Sequence, residues 1–224
     1  MFHVEHQGYR LCKSRQDQDQ AQFQTMCAEH SILLDKHELA KLGKYRDLLI
    51  SWNERVRLVS KSDSTRFLSR HVFESLLCLG SLQPDDTRLV DVGTGGGLPG
   101  IPLGIVRPNL NVTLIESARM KTLFLKEVVS SLSLPNVEVI HDRVENVWGG
   151  GRGGTFDIVT ARAVARLSRV WELAVPLLKP QGYLVSLKGP GEAEDDLGPL
   201  GIAFEETLLD AWDRVVAIVK IQKS

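Results

Sequence analysis

No run of apolar residues in this chain approaches the roughly 18 residues that a membrane-crossing helix requires, and the opening MFHVEHQGYRLCKSRQDQDQ has no apolar core of the kind a secretory leader carries. A cytoplasmic protein with no membrane partner is the expectation. Cysteine is scarce: Cys12, Cys27 and Cys78 are odd in number, widely spaced and form no C-x-x-C pair, which argues against a disulfide framework or a zinc site. The six histidines show no metal-ligand spacing, so no metal is expected. An excess of charge of one sign is also missing, with 27 Lys and Arg against 28 Asp and Glu. That balance argues against a protein held to nucleic acid by bulk electrostatics and does not exclude a local basic patch.

The 224 residues, 43% of them hydrophobic, suit one domain with a small extension. Residues 1–20 are polar, rich in Gln and Asp and without apolar period, which predicts a loosely ordered or marginally helical tail. Over 21–82 the pattern is helical, with Leu42, Tyr45, Leu49 and Trp52 on one stripe and Leu68, Val72, Leu76 and Leu79 on another. Asp35 and Ser64 or Thr65 are the candidate N-caps of this helical extension.

Residues 83–224 alternate short apolar runs with helical segments. RLVDV, VTLIE, VEVIH, FDIVTA and YLVSLK are nearly continuous in apolar residues and far enough apart for crossovers, which predicts buried parallel strands. IAFEETLL and RVVAIVK are separated only by DAWD, long enough for a hairpin and too short for a helix. The fold class is therefore α/β: a mostly parallel seven-stranded sheet with an antiparallel C-terminal hairpin and a helical N-terminal extension. Helices are expected at 119–132, where Met120, Phe124, Leu125, Val128 and Val129 line up, and at 168–178. WGGGRGGT, 148–155, is expected as a surface loop.

LVDVGTGGGLPGIP, residues 89–102, follows the first strand, where open parallel sheets bind their ligands. Two frames fit it. Gly95 to Gly100 matches G-x-G-x-x-G with Glu116 about 20 residues on, the dinucleotide fingerprint. Starting at Gly93, the same stretch is an acidic strand end followed by G-x-G-x-G, the pattern of Rossmann-like enzymes that use S-adenosylmethionine. Pro99 and Pro102 remove N–H donors from the first turn of the following helix, which an anion would need, and Asp91 would repel a pyrophosphate but favour a cationic ligand. The second frame is preferred on these grounds, and a tight turn without a ligand is the bland alternative.

DRVENV, 142–147, follows the third strand, where the backbone near Val144 and Glu145 is suited to an adenine; a plain helix start explains the same residues. After the fourth strand the turn is Thr160-Ala161-Arg162-Ala163, without the Asn/Asp-Pro-Pro-aromatic turn of base amino-methyltransferases, and no cysteine follows a strand of the sheet to serve as a thiolate nucleophile. The chemistry left is transfer to an atom already nucleophilic, such as guanine N7, which calls for no assigned catalytic base. Basic residues gather at Arg55, Arg57, Lys61, Arg66, Arg70 and His71 and again at Arg162, Arg166, Arg169 and Lys188, a candidate phosphate-contacting rim. The ordinary alternative is a solvated or paired arginine, for example Arg70 with Glu74 at i, i+4.

WNERVRLVS, SRHVFESL, LVDVGTGGGLPGIPLGIVRPNLNVTLIES, DRVENV, TARAVARL and LKG together resemble the glucose-inhibited division protein B family, the small-subunit ribosomal RNA guanine-N7 methyltransferases, over roughly residues 25–222. Arg57 and Glu74 depart from the asparagine and aspartate usual there. The resemblance implies a Rossmann-like class I methyltransferase domain, S-adenosylmethionine as donor, and as acceptor N7 of a guanine in a decoding-region loop of 16S ribosomal RNA, free or in the small subunit, acted on by a monomer. It further implies that Gly93, Gly95, Gly97, Leu98, Glu116, Ser117, Ala118, Val144, Glu145 and Arg162 line the donor site, with Arg70, His71, Arg166 and Lys188 on the RNA side. Methylation of a small metabolite stays open at this point, as does a nicotinamide-dependent oxidoreductase or a nucleotide-sensing module.

Overall fold

The seven strands are β1 (Arg88–Val92), β2 (Asn111–Glu116), β3 (Val137–His141), β4 (Phe156–Arg162), β5 (Leu178–Lys188), β6 (Glu205–Ala211) and β7 (Arg214–Gln222). They form one sheet in the order β3-β2-β1-β4-β5-β7-β6, in a computed structural model that describes residues 2–162, 165–211 and 214–223, with side chains from residue 15. The first five are mutually parallel, and β7 runs antiparallel between β5 and β6. Ala163 of the turn after β4, and Trp212 and Asp213 of the expected hairpin link, lie outside the described residues.

Helices cover both faces: α1 (Phe2–Glu29), α2 (Lys36–Asn53), α3 (Lys61–Ser64), a π-helical segment (Phe67–Val72) that continues into α4 (Phe73–Leu77), then α5 (Gly100–Val106), α6 (Arg119–Ser131), α7 (Val144–Val147), α8 (Leu167–Ala174) and α9 (Glu192–Leu197). The strand period of two sorts the core. Leu89, Val112, Leu114, Val185 and Leu187 face the cluster built with α1, α2, α4, α5 and α6, while Val90, Ile115 and Leu184 face the one built with α7, α8 and α9. The N-terminal extension is thus part of one covering layer. Among the described residues no helix is long and apolar enough to cross a membrane.

The boundary expected at residue 20 falls inside α1, which takes up the residues read as a loosely ordered or marginally helical tail. Phe23, Met26 and Cys27 bury the helix's C-terminal half, and Asp19 is buried with them. A polar stretch without proline continues a helix once its end is anchored by packing. Asp35 caps α2 through a capping box, accepting from His37 N at 2.6 Å and Glu38 N at 2.8 Å while Glu38 Oε2 accepts Asp35 N at 2.7 Å. Ser60, not Ser64 or Thr65, caps α3, because the helix starts earlier and Ser60 Oγ accepts the Asp63 N–H at 3.1 Å.

The helix expected over 168–178 stops at Ala174, because β5 begins at Leu178; Lys223 Nζ donates to the Val175 and Leu178 carbonyls at 2.9 and 2.6 Å. In α6 the expected stripe holds except for Met120, which is half exposed. The glycine-rich stretch after α7 is better anchored than a bare loop: Trp148 packs partly against the second core cluster, and Arg152 pairs with Glu138 at 2.6 Å.

Candidate active site

β1 lies between β2 and β4, so chain order reverses there and a crevice opens at the carboxyl ends of these strands. The glycine loop fills one side of it. Gly93, Gly95 and Gly97 have φ of +63°, +59° and +93°, the left-handed region where other residues are strained. Gly97 and Leu98 donate to the Thr94 carbonyl at 2.9 and 3.1 Å, and Thr94 N donates to Ile115 O of β2 at 3.2 Å. A Cβ on Gly95 would meet nothing nearer than Gly93 O at 3.9 Å, so the loop leaves an open cradle there. Gly97 turns the other way: its Cβ would come 2.6 Å from Ile101 Cγ1 and 3.1 Å from the Tyr45 hydroxyl.

Asp91, expected to face a cationic ligand, has its carboxylate taken up inside the protein. It is fully buried and braces the loop, accepting from Thr94 Oγ1 at 2.5 Å, Gly100 N at 2.9 Å and Thr160 Oγ1 at 3.1 Å. Burial pushes its pKa up to about 6 against the opposing pull of these hydrogen bonds and of Arg162. The prolines act as predicted on the helix end. Pro99 is the cap residue of α5 and Pro102 its third residue, while Gly100 N is held by Asp91, Ile101 N by Gly97 O at 2.8 Å and Leu103 N by Pro99 O at 3.2 Å. The first turn of α5 therefore offers no free amide to a pyrophosphate.

Glu116 closes the loop from the end of β2. Its Oε2 accepts Gly95 N at 3.0 Å and its Oε1 accepts Ala118 N at 2.8 Å, so one buried carboxylate ties the glycine loop to the β2–α6 turn. Ser117 and Ala118 are exposed at the rim. After β3, Val144 is buried and Glu145 half-buried at the start of α7, whose turn is tied by Asp142 to Arg143 N and Asn146 Nδ2, both at 2.7 Å. An open glycine, an acidic strand end and an apolar side chain from the next loop thus gather at the carboxyl ends of β1, β2 and β3.

On the β4 and β5 side a cleft of about 380 Å³ is lined by Arg70, His71, Glu74, Arg162, Lys188 and Arg214, among others. Three of the four residues expected on the RNA side thus meet Arg162 in one place. Arg166 opens with Lys188 on an adjoining cleft whose other charged residues are Glu192, Asp195 and Asp196. Arg169 is drawn off to Glu172 at 2.8 Å and Glu145 at 3.6 Å.

The cleft floor is a chain of charges. Arg162 donates to the His71 carbonyl at 3.2 Å and to His71 Nδ1, and stands 3.7 Å from Glu74 Oε2; Arg214 Nε donates to Glu74 Oε1 at 2.9 Å. Burial, then the neighbouring Arg162, lowers the His71 pKa to about 3, so the imidazole is neutral. Because Nδ1 accepts from Arg162, the hydrogen-bond pattern puts the ring proton on Nε2, 3.7 Å from Asp63 Oδ2. Arg70 pairs with Asp63 at 2.7 Å, not with Glu74. The wider turn of the π-helical segment takes Arg70 out of the i, i+4 line with Glu74. Arg214 and Asp63 carry no signal of their own in the sequence; only the β6–β7 register and the packing of α3 bring them here.

A Rossmann-like sheet with an acid closing its second strand over a glycine loop, and no free helix-end amide for a phosphate, defines a methyltransferase that uses S-adenosylmethionine. The family model described as rRNA small subunit methyltransferase G, GidB, matches residues 38–198, and the chain belongs to that family. The "Ribosomal RNA small subunit methyltransferase G" of Sorangium cellulosum is 39% identical over 206 residues, covering 88% of this chain and 86% of the relative. That of Chromobacterium violaceum is 38% identical over 199 residues, covering 86% and 93%. The solved structure of a SAM dependent methyltransferase from Aquifex aeolicus shares the fold with a TM-score of 0.54 at 19% identity, covering 74% of this chain and 95% of that one.

Proposed function

We propose that this enzyme transfers the methyl group of S-adenosylmethionine to N7 of a guanine in a decoding-region loop of 16S ribosomal RNA, acting as a cytoplasmic monomer and without a covalent enzyme intermediate. The observation that carries the reading is the placing of two features at the carboxyl ends of adjacent parallel strands: the cradle closed by Glu116 and Gly95 follows β1, and the cleft lined by Arg70, Arg162, Lys188 and Arg214 lies at the end of β4. Bound S-adenosylmethionine supplies a methyl group already activated by its sulfonium charge. Gly93, Gly95 and Leu98 with Glu116, Ser117 and Ala118 are assigned to its amino acid and ribose parts, Val144 and Glu145 to its adenine, and Gly97 to the packing behind the loop. Arg162 stands between the two halves. Arg70, His71 and Lys188, joined by Arg214 and at the margin by Arg166, are assigned to RNA phosphates and base.

Guanine N7 carries no proton, so the acceptor needs orientation and no base. That suits a cleft whose histidine is neutral and whose pKa lies far below physiological pH. A thiolate route is disfavoured, because burial pushes both Cys27 and Cys78 up to about 12. A metabolite methyltransferase would call for an enclosed apolar pocket, whereas this cleft carries Arg70, Arg162, Lys188 and Arg214 against Glu74 and Glu192, an excess of cations.

The test is transfer of a labelled methyl group to small subunits isolated from cells that lack this enzyme, followed by mapping of the modified nucleotide. One N7-methylated guanine is expected with the native protein and none with Gly93→Asp. Methylation of small molecules only, with subunits left unmodified, sinks the reading.

A further inference from the structure

Two helices that precede the sheet reach the two halves of the site through single buried side chains. On the donor side, Tyr45 of α2 is fully buried and its hydroxyl donates to the Gly96 carbonyl. Burial also holds its pKa well above the usual phenol value, so it stays a donor. The ring is clamped edge-on by Phe67, 5.2 Å between centroids, and stacked against Phe124 at 6.4 Å. The peptide it holds is the back of the loop whose front is the open Gly95.

On the acceptor side, Asp19 of α1 is 4% exposed. It accepts Leu68 N–H and Ser69 N–H at 2.9 Å each and the Ser69 hydroxyl at 2.6 Å. These amides open the π-helical segment, whose preceding residue, Arg66, gives no side-chain cap. A carboxylate from another helix therefore satisfies them and meets the positive end of the segment. The next two residues, Arg70 and His71, line the cationic cleft.

We propose that Tyr45 and Asp19 are positioning residues with separate duties: Tyr45 sets the glycine loop for the methyl donor, and Asp19 sets Arg70 and His71 for the RNA. The N-terminal extension then presents both substrates. The Asp19 half rests on the functional reading above; the Tyr45 half needs only a donor site at the glycine loop.

The experiment measures three quantities on folded, full-length variants: S-adenosylhomocysteine affinity by calorimetry, KM and kcat for small ribosomal subunits, and the melting temperature. Tyr45→Phe keeps the ring and leaves the Gly96 carbonyl unpaired, and is expected to weaken S-adenosylhomocysteine about tenfold while the KM for subunits stays within about twofold. Asp19→Ala is expected to do the reverse, raising the KM for subunits about tenfold with the donor affinity within about twofold. Asp19→Asn keeps one accepting oxygen but sets its NH₂ against the other amide, so it is expected to raise the KM for subunits about threefold, between native and alanine, with the donor affinity unchanged; that intermediate shift carries the test alone if the alanine variant does not fold.

A general support role moves both affinities together in each variant, and that result overturns the proposal, as does no change in either. If the native protein methylates no subunits, the functional reading and the Asp19 half fall together. The Tyr45 half is then still decided by S-adenosylhomocysteine binding.

Discussion

The Gly95 N–H donates to Glu116 Oε2 at 3.0 Å, across the gap between the loop after β1 and the end of β2. The same carboxylate accepts Ala118 N–H at 2.8 Å, so both of its oxygens hold backbone at the rim of the donor site. Replacing it with glutamine sets an amide NH₂ against one of these N–H groups. Glu116→Gln is therefore expected to weaken S-adenosylhomocysteine by tenfold or more in calorimetry and to lower stability by about 1–2 kcal/mol. Unchanged affinity in a folded variant removes Glu116 from the donor site.

Gly95 and Gly97 should respond differently to the same methyl group. At Gly95 the added Cβ faces open space at φ +59°, so Gly95→Ala is expected to cost about 1 kcal/mol in stability and to obstruct the donor. At Gly97 the Cβ meets Ile101 and the Tyr45 hydroxyl at φ +93°, and Gly97→Ala is expected to cost about 3 kcal/mol by adding overpacking to backbone strain. Denaturant unfolding alongside donor titration distinguishes a binding defect from a folding defect.

Asp91 makes a contribution to stability that depends on pH in an uncommon direction. Its pKa is raised by burial to about 6 in the folded protein, above the roughly 3.9 of an unfolded aspartate. The folded state therefore binds the extra proton between these values, and the contribution of Asp91 falls as pH rises from about 4 to 6. Asn at this position can accept from Thr94 and Gly100 and donate to Thr160. The stability of Asp91→Asn relative to native is expected to rise by up to about 3 kcal/mol across that window. A flat difference shows that Asp91 is not desolvated as the packing requires.

His71 acts in the opposite sense. Its pKa falls to about 3, from roughly 6.5 when unfolded, so the unfolded chain binds more protons between them and stability is lost as pH falls through that range. Nitrogen-15 NMR is expected to show a neutral imidazole with the proton on Nε2 from pH 5 to 9. Subunit methylation is expected to show no inflection near pH 6.5 that is abolished by His71→Gln.

Much of the chain was legible before its structure. The five parallel strands and the antiparallel pair follow from apolar runs and the length of chain between them, since a crossover needs room that DAWD does not provide. The loop was legible because few backbones need glycine at so many successive turns. The ends of elements were less so. The helix after β4 stops at Ala174 because strand pairing from Leu178 competes for the chain, and α1 runs through the polar stretch because Phe23 and Asp19 are anchored by distant partners. Asp91 was noticed and given the wrong neighbours: a strand-end carboxylate looks the same in sequence whether it faces a ligand or the back of its own loop.

The amino-acid sequence by itself determined the periodicities that build the sheet, the glycine loop at the end of β1, and the lack of helix-end donors that sets the class of ligand. These are local properties, dictated by sterics and hydrogen-bonding capacity within a few residues. Only the tertiary structure decided that Tyr45 backs the loop, that Asp19 caps the segment carrying Arg70 and His71, and that Glu74 holds both Arg162 and Arg214. Those pairings join residues tens of positions apart or more, and no local pattern encodes them, because a buried polar group accepts whichever partner the packing of the whole chain brings within reach.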